Sequence, residues 1–190
     1  MKRIFLLFIV ALVGCQQSAP PASQLESPST EKVVINEATK GKAIAAKEEL
    51  FKQLSGRLME VMKSDGPAAA IEVCSKEASQ FASAVSEQQG VKIGRTALKL
   101  RNSSNVPPTW ANSLATADAI DPQFVEIDDH TVGALLPIKL QQKCLNCHGA
   151  EETLLPAVKD QLAKHYPNDE ATGFKEGDLR GWFWVEVPKS

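Results

Sequence analysis

No apolar run in this chain is long enough to cross a bilayer. The best candidate, residues 4–13, falls well short of the roughly 20 apolar residues a permanent spanning helix needs. There is no excess of basic charge either: 21 Lys and Arg face 23 Asp and Glu, for a net −2. Nothing therefore points to nucleic acid or an anionic membrane surface as a partner. Internal repeats are absent. Cysteine is scarce, with 4 residues, and histidine scarcer, with 3. With so few of each, every one can be asked what it does.

Two of the cysteines and one histidine stand together as Cys144-Leu145-Asn146-Cys147-His148. Cys-x-x-Cys-His is the attachment pattern of c-type haem. Thiols three positions apart can both bond the haem vinyl groups, and the following histidine then lies under the iron as proximal ligand. The spacing needs a short helical turn, and Gly149 is expected to let the chain leave it without steric penalty. A structural zinc site would need two more Cys or His close downstream, and none occurs before His165. A redox Cys-x-x-Cys opens a helix after a strand and has no use for the histidine. The expected cofactor is one covalent haem c.

The first residues form an address. Lys2 and Arg3 are a positive n-region, and the apolar run that follows ends in Leu12-Val13-Gly14-Cys15, the form of a bacterial lipobox. Residues 1–14 are thus expected to be a lipoprotein signal peptide, with Cys15 lipidated and the protein anchored on the periplasmic side of a membrane. Gln16 stands where an inner-membrane retention signal usually has aspartate, which points to the outer membrane where there is one. Residues 15–36, rich in Ser, Pro, Gln and Ala, read as a flexible tether. Loss of Lys2 and Arg3 leaves 19 basic against 23 acidic residues, or −4. Residues 37–190 suit one domain with a real core.

With Cys15 assigned to lipid and Cys144 and Cys147 to haem, Cys74 is left without a disulfide partner. The pattern around it is helical. Ile44, Leu50, Phe51, Leu54, Leu58, Val61 and Met62 recur at three- and four-residue steps over 37–63. Asp65-Gly66 stops that helix, and Pro67 suits the first turn of a second one running to 89. There Ile71, Cys74, Ala78, Phe81 and Val85 share a face, which turns Cys74 into the core. From spacing alone Cys74 is either an inert buried thiol or a second axial ligand to the haem iron.

After Gly90 the period changes. A strand with a break near Gly94 is expected over 91–100, then a loop over 101–108 and a short helix over 110–119. A hairpin over 124–128 and 131–140, a helix over 154–165, a loop over 167–181 and a closing strand from Trp182 complete the reading. Helices first, then short strands in antiparallel order, give an α+β fold.

Several spaced blocks resemble a known family. They are Ala70-Ile71-Glu72-Val73-Cys74, Ile93-Gly94-Arg95-Thr96, Arg101-Asn102 with Asn105, Pro107 and Trp110, and Leu136-Pro137-Ile138. The Cys-x-x-Cys-His-Gly stretch, Tyr166-Pro167-Asn168-Asp169, Ala171-Thr172-Gly173-Phe174 and Gly177-Asp178-Leu179-Arg180-Gly181 follow in order. Over about 43–187 the chain is similar to the bacterial PAS-like single-haem domains, which occur alone or as sensors of histidine kinases and chemoreceptors. The resemblance implies a PAS-like antiparallel sheet and haem held by His148 on one side and the Cys74 thiolate on the other. Ser103, Pro108 and Ala111 depart from the family pattern, all within one loop. Arg95 and Arg101 are the candidates for haem-propionate contacts, because guanidinium forks suit carboxylates. His130 and His165 are rival axial ligands, both expected on the surface.

Two functions are compatible with these expectations. One is a membrane-anchored cytochrome in electron transfer or redox sensing, with both axial positions filled. The other is a gas or small-ligand sensor that passes its signal to a separate partner protein. No acid–base set for an enzyme is evident.

Overall fold

A computed structural model describes residues 35–189. The signal peptide, Cys15 and nearly all of the tether lie outside the described residues.

Two long helices come first. Helix α1, Glu37–Ser64, is capped by Asn36, whose side chain accepts from the Ala38 N–H at 2.8 Å. Its buried stripe is Thr39, Ala43, Ala46, Leu50, Leu54 and Val61. Ile44 and Phe51, which share the apolar period of the sequence, are instead exposed. Gly66, at φ 86°, turns the chain, and Pro67 opens α2, Pro67–Gln89. Gly90 ends α2 in the left-handed conformation. Both helices follow the sequence expectation to within a residue. Among the described residues no helix is long and apolar enough to cross a membrane.

The four strands are β1 (Lys92–Thr96), β2 (Gln123–Asp128), β3 (Thr131–Lys139) and β4 (Leu179–Pro188). They form one antiparallel sheet in the order β1-β4-β3-β2. The fold is α+β with N-terminal helices, as expected. Strand β1 is not broken at Gly94. That position pairs with Trp184, and a Cβ there would lie 2.4 Å from the indole ring. The glycine admits an aromatic ring and does not interrupt the strand. Residues 98 and 99, expected to extend the strand, form a bend, and Leu100 lies in no regular element.

Alternation along β4 divides the core. Phe183, Val185 and Val187 face the helices and pack with Ala43, Ala46, Leu50, Val85, Ile93, Ala134 and Leu136. Trp182 and Trp184 face the other way, against Ala111, Ala119, Leu135 and Trp110. The indole N–H of buried Trp182 donates to the Ala119 carbonyl at 2.7 Å, and that of half-buried Trp110 to Glu186 at 3.0 Å. The expected helix over 110–119 shrinks to one 3₁₀ turn, Thr109–Ala111, followed by turns. Its residues cover the second sheet face as an irregular segment. The remaining helices are α3, Leu145–His148, and α4, Pro156–His165.

Candidate functional site

The Cys-x-x-Cys-His segment folds as a 3₁₀ turn, Gln142–Cys144, running into α3. Gly149 ends it, its N–H donating to the Leu145 carbonyl at 2.9 Å. The glycine spares the exit from this turn a steric clash, as expected. Its φ is −66°, but a Cβ would fall 2.6 Å from the Leu145 oxygen.

A second segment closes over this turn. The N–H of Gly173 donates to the Gly149 carbonyl at 2.8 Å, and that of Phe174 to the His148 carbonyl at 3.0 Å. His148 Nδ1 lies 2.7 Å from the Ala171 carbonyl oxygen. A carbonyl only accepts, so Nδ1 carries the proton and Nε2 is the lone-pair nitrogen. This is the way a ligating histidine is held in orientation.

Arg101 ties the two segments together. Its Nε donates to Asp169 at 3.0 Å, and its Nη2 to the carbonyls of Cys147 at 2.6 Å and Ala171 at 3.1 Å. Asp169 in turn accepts the Ala171 N–H at 2.8 Å. Both charged side chains are nearly buried, 10% and 9% exposed. The guanidinium chosen from sequence for a cofactor carboxylate is thus largely committed within the protein.

An open cleft of about 1170 Å³, counting its mouth, lies beside this assembly at the ends of β1 and β3 and the start of β4. Cys74, Arg95, Arg101, Cys144, Cys147 and His148 all line it. Positions spread over 75 residues of sequence converge on one cavity. Leu54, Leu58, Met59 and Met62 of α1 and Ile71 of α2 make the wall around Cys74 apolar. Cys74, expected inside the core, is half-buried on this wall.

The electrostatics follow from burial. Burial pushes the Cys74 thiol up, against the pull of Arg95, Arg101 and Arg180. Cys147 is pushed up to about 11 by the same cause. His148 is held well below the usual imidazole range, chiefly by burial and then by Arg101 and Arg180, while the Ala171 carbonyl pulls the other way. The ring is therefore neutral at physiological pH, the form that ligates metals. Arg95 is lowered by burial and has no ion-pair partner among the described residues. Arg180 is brought down to about 10, by burial and then by the neighbouring Arg101 and Arg95. Its Nη1 donates to the Lys99 carbonyl at 3.0 Å. Two buried arginines of the cleft, Arg95 and Arg180, are thus without carboxylate partners among the described residues, and the exposed Lys143 at its lining is a third such cation.

His130 and His165 do not line the cleft. His130 sits exposed at the β2–β3 hairpin tip. His165 is not the surface residue expected: its Nδ1 lies 3.3 Å from Ser75 Oγ, and its Nε2 is buried with no hydrogen-bond partner among the described residues. Sequence reasoning passed over Arg180, Asp169, Ala171 and Phe174 as individual site residues. All four stand in the blocks that carried the resemblance, and that was the available signal.

The profile of the Tll0287-like family matches residues 23–188. The crystal structure of the cyanobacterial haem protein Tll0287 aligns with a TM-score of 0.58 at 26% identity, covering 82% of this chain and 98% of that one. No curated protein matches the sequence. The matched residues take in every element that builds the cleft, from α1 to β4, and the chain belongs to the Tll0287-like family.

Proposed function

We propose that this protein is a membrane-anchored, extracytoplasmic c-type cytochrome with a single covalent haem, working in electron transfer or redox sensing with His148 and Cys74 as axial ligands. The observation that carries the reading is the meeting of Cys144, Cys147, His148 and Cys74 in one apolar cleft beside two unpartnered arginines. The similar cyanobacterial structure is that of a haem protein.

The residues fit such a group. Cys144 and Cys147 would be its thioether attachments, and His148 presents a neutral, lone-pair Nε2 fixed by Ala171. Cys74 comes from a separate element, α2, and its thiol needs metal coordination to ionise in so buried a place. Arg95 and Arg180 match the two propionates in number and charge. Arg101 serves them only through what it positions, the Cys-x-x-Cys-His turn. Leu54, Leu58 and Ile71 keep water from the ring. When bound, haem supplies one-electron chemistry at its iron. With His148 and Cys74 both ligating, no open coordination site is left, and the reading is of a carrier and not an enzyme. Cys15, outside the described residues, would hold the protein to the membrane, and a separate redox protein would be its partner.

The test is a haem stain after denaturing electrophoresis. The full-length protein should keep its stain through boiling in detergent, and Cys144→Ala/Cys147→Ala should lose it entirely. Stain released by boiling from the parent protein would refute covalent attachment.

One observation favours the runner-up, a gas or small-ligand sensor. Cys74 comes from an element separate from the Cys-x-x-Cys-His turn and no hydrogen bond holds its thiol among the described residues, so a small ligand could take its place. Carbon monoxide binding by the reduced protein separates the two readings.

A further inference from the structure

The outward side of α1, opposite its buried stripe, is not the polar face of a solvated helix. Three large apolar side chains share it at helical spacing: Ile44, 44% exposed, Phe51, 36%, and Met59, 42%. The other exposed large hydrophobics among the described residues, Leu98, Val106, Ile120 and Leu155, stand in separate segments. Scattered apolar residues are ordinary, whereas three on one helix face form a patch. Gly41 lies on the same face. A Cβ there would meet nothing within 4 Å, so no contact inside the chain calls for a poor helix former in mid-helix.

The charges of this face are as ordered as its apolar residues. They are Glu37, Glu48, Lys52 and Lys63, two of each sign and all exposed. Glu37 is paired only with Lys40 and Glu48 only with Lys47, surface contacts of little strength. Lys52 and Lys63 are in no ion pair among the described residues. The four stand symmetrically about position 50: Glu37 and Lys63 lie thirteen residues to either side, Glu48 and Lys52 two. Gly41 and Met59 are likewise nine residues to either side. A second α1 laid antiparallel across the face, midpoint on midpoint, therefore sets Glu37 against Lys63 and Glu48 against Lys52. The two-fold symmetry of such a pair makes each contact twice. None of the four meets a like charge, Gly41 leaves room for Met59, and the two Phe51 side chains come together beside the centre.

We propose that this face of α1 is the interface of a homodimer, packed antiparallel through Ile44, Phe51 and Met59 and registered by the Glu37–Lys63 and Glu48–Lys52 pairs between copies. The proposal does not rest on the haem reading, but it bears on the same site. Phe51 and Met59 also line the cleft, so the second copy stands at the cleft's edge. One helix pair is a small interface, and the dimer should be reversible.

The experiment is sedimentation equilibrium of the full-length, haem-loaded protein in a density-matched detergent. The parent should show a monomer–dimer equilibrium. Glu48→Lys and Lys52→Glu each oppose like charges at both central pairs and should raise the dimer Kd at least about tenfold. Glu87→Lys makes the same charge change as Glu48→Lys at an exposed place on α2 and should keep the parent Kd. The decisive sample is an equimolar mixture of the Glu48→Lys and Lys52→Glu proteins. Each copy then supplies the charge that the other lacks, and the mixed dimer should form with a Kd near the parent's. Mixing changes nothing inside either chain, so altered folding or altered pairing along one helix cannot produce that recovery. A parent that stays monomeric up to about 1 mM would overturn the interface, whether another protein covers the face or nothing does. Parent behaviour in both charge variants, or a mixture that stays monomeric, would overturn the antiparallel register and the proposal with it.

Discussion

The cleft has two walls built on opposite plans. The wall that carries His148 is a lattice of polar contacts. Arg101, Asp169 and the carbonyls of Cys147 and Ala171 are bonded to one another, and two backbone hydrogen bonds join residues 173–174 to 148–149. The wall that carries Cys74 is made of Leu54, Leu58, Met59, Met62 and Ile71, which offer the cleft no strong hydrogen-bonding group. Directional bonds fix an atom's position, whereas dispersion contacts of flexible side chains fix only a volume. His148 is therefore held by geometry and Cys74 by its surroundings. In the proposed cytochrome this makes His148 the permanent ligand and Cys74 the one whose bond responds to charge on the metal.

The comparison is broken most forcefully at Arg101. Its replacement by alanine leaves the Asp169 carboxylate, nearly buried in the parent, without its ion-pair partner, and frees the carbonyls of Cys147 and Ala171. Breaking a buried pair from one side typically costs about 3–5 kcal/mol. Chemical unfolding of Arg101→Ala should show a loss of that size, together with a disturbed haem spectrum as the His148 acceptor loosens. A loss below about 1 kcal/mol, the range of an exposed ion pair, would mean that the polar wall does not fix the histidine.

Next comes pH. In protein prepared without haem, His148 is held below its unfolded value, so between that value and its folded one the unfolded chain binds the extra proton. Stability should then be fully present above about pH 6.5 and fall on acidification below it, at up to about 1.4 kcal/mol per pH unit. Cys147 acts at the other end. Its folded value of about 11, raised from 9.0, means that stability is lost as pH rises from 9.0 toward 11. Haem loading removes both effects, by thioether formation at Cys147 and ligation at His148. Urea midpoints measured across this range, with and without haem, check the prediction. Curves that coincide would show that neither side chain is at the haem.

These two regions were unequally legible in the sequence. The Cys-x-x-Cys-His spacing is one that haem chemistry dictates, so Cys144, Cys147 and His148 could be put forward directly as site candidates, and the structure brings all three to one cleft. Cys74 could be placed on a helical face by the 3.6-residue period, but not beside the cleft, because a period says which face is apolar and not what it meets. The Arg101–Asp169 clamp joins residues 68 positions apart. No local pattern encodes such a pair. Helices α1 and α2 were readable to within a residue because Pro67 and the positive-φ glycines at 66 and 90 mark their ends. The 110–119 segment was misread as a helix because its alanines and leucine have helical spacing, although what holds it is burial against Leu135 and Trp182. Gly94 misled for a similar reason. A glycine in a strand signals either a break or a close approach, and only the ring of Trp184 decides between them.

The smallest effect is expected at Met62, where the apolar wall should prove tolerant. Met62 is half-buried against Val61, Ala70 and Val73 and lines the cleft near Cys74. Leucine has nearly the same volume, and such swaps usually cost less than about 1.5 kcal/mol. What changes chemically is the loss of a thioether, the one other soft donor type on that wall, present at Met59 and Met62. If the wall acts only as a volume, Met62→Leu should unfold close to the parent and keep its spectrum in both oxidation states. A reduced spectrum that changes while the oxidised one does not would assign Met62 a place at the iron after Cys74 is released. The wall would then hold two ligands in waiting, and the contrast between a fixed side and an adaptable side would become a contrast between one ligand and a choice of two.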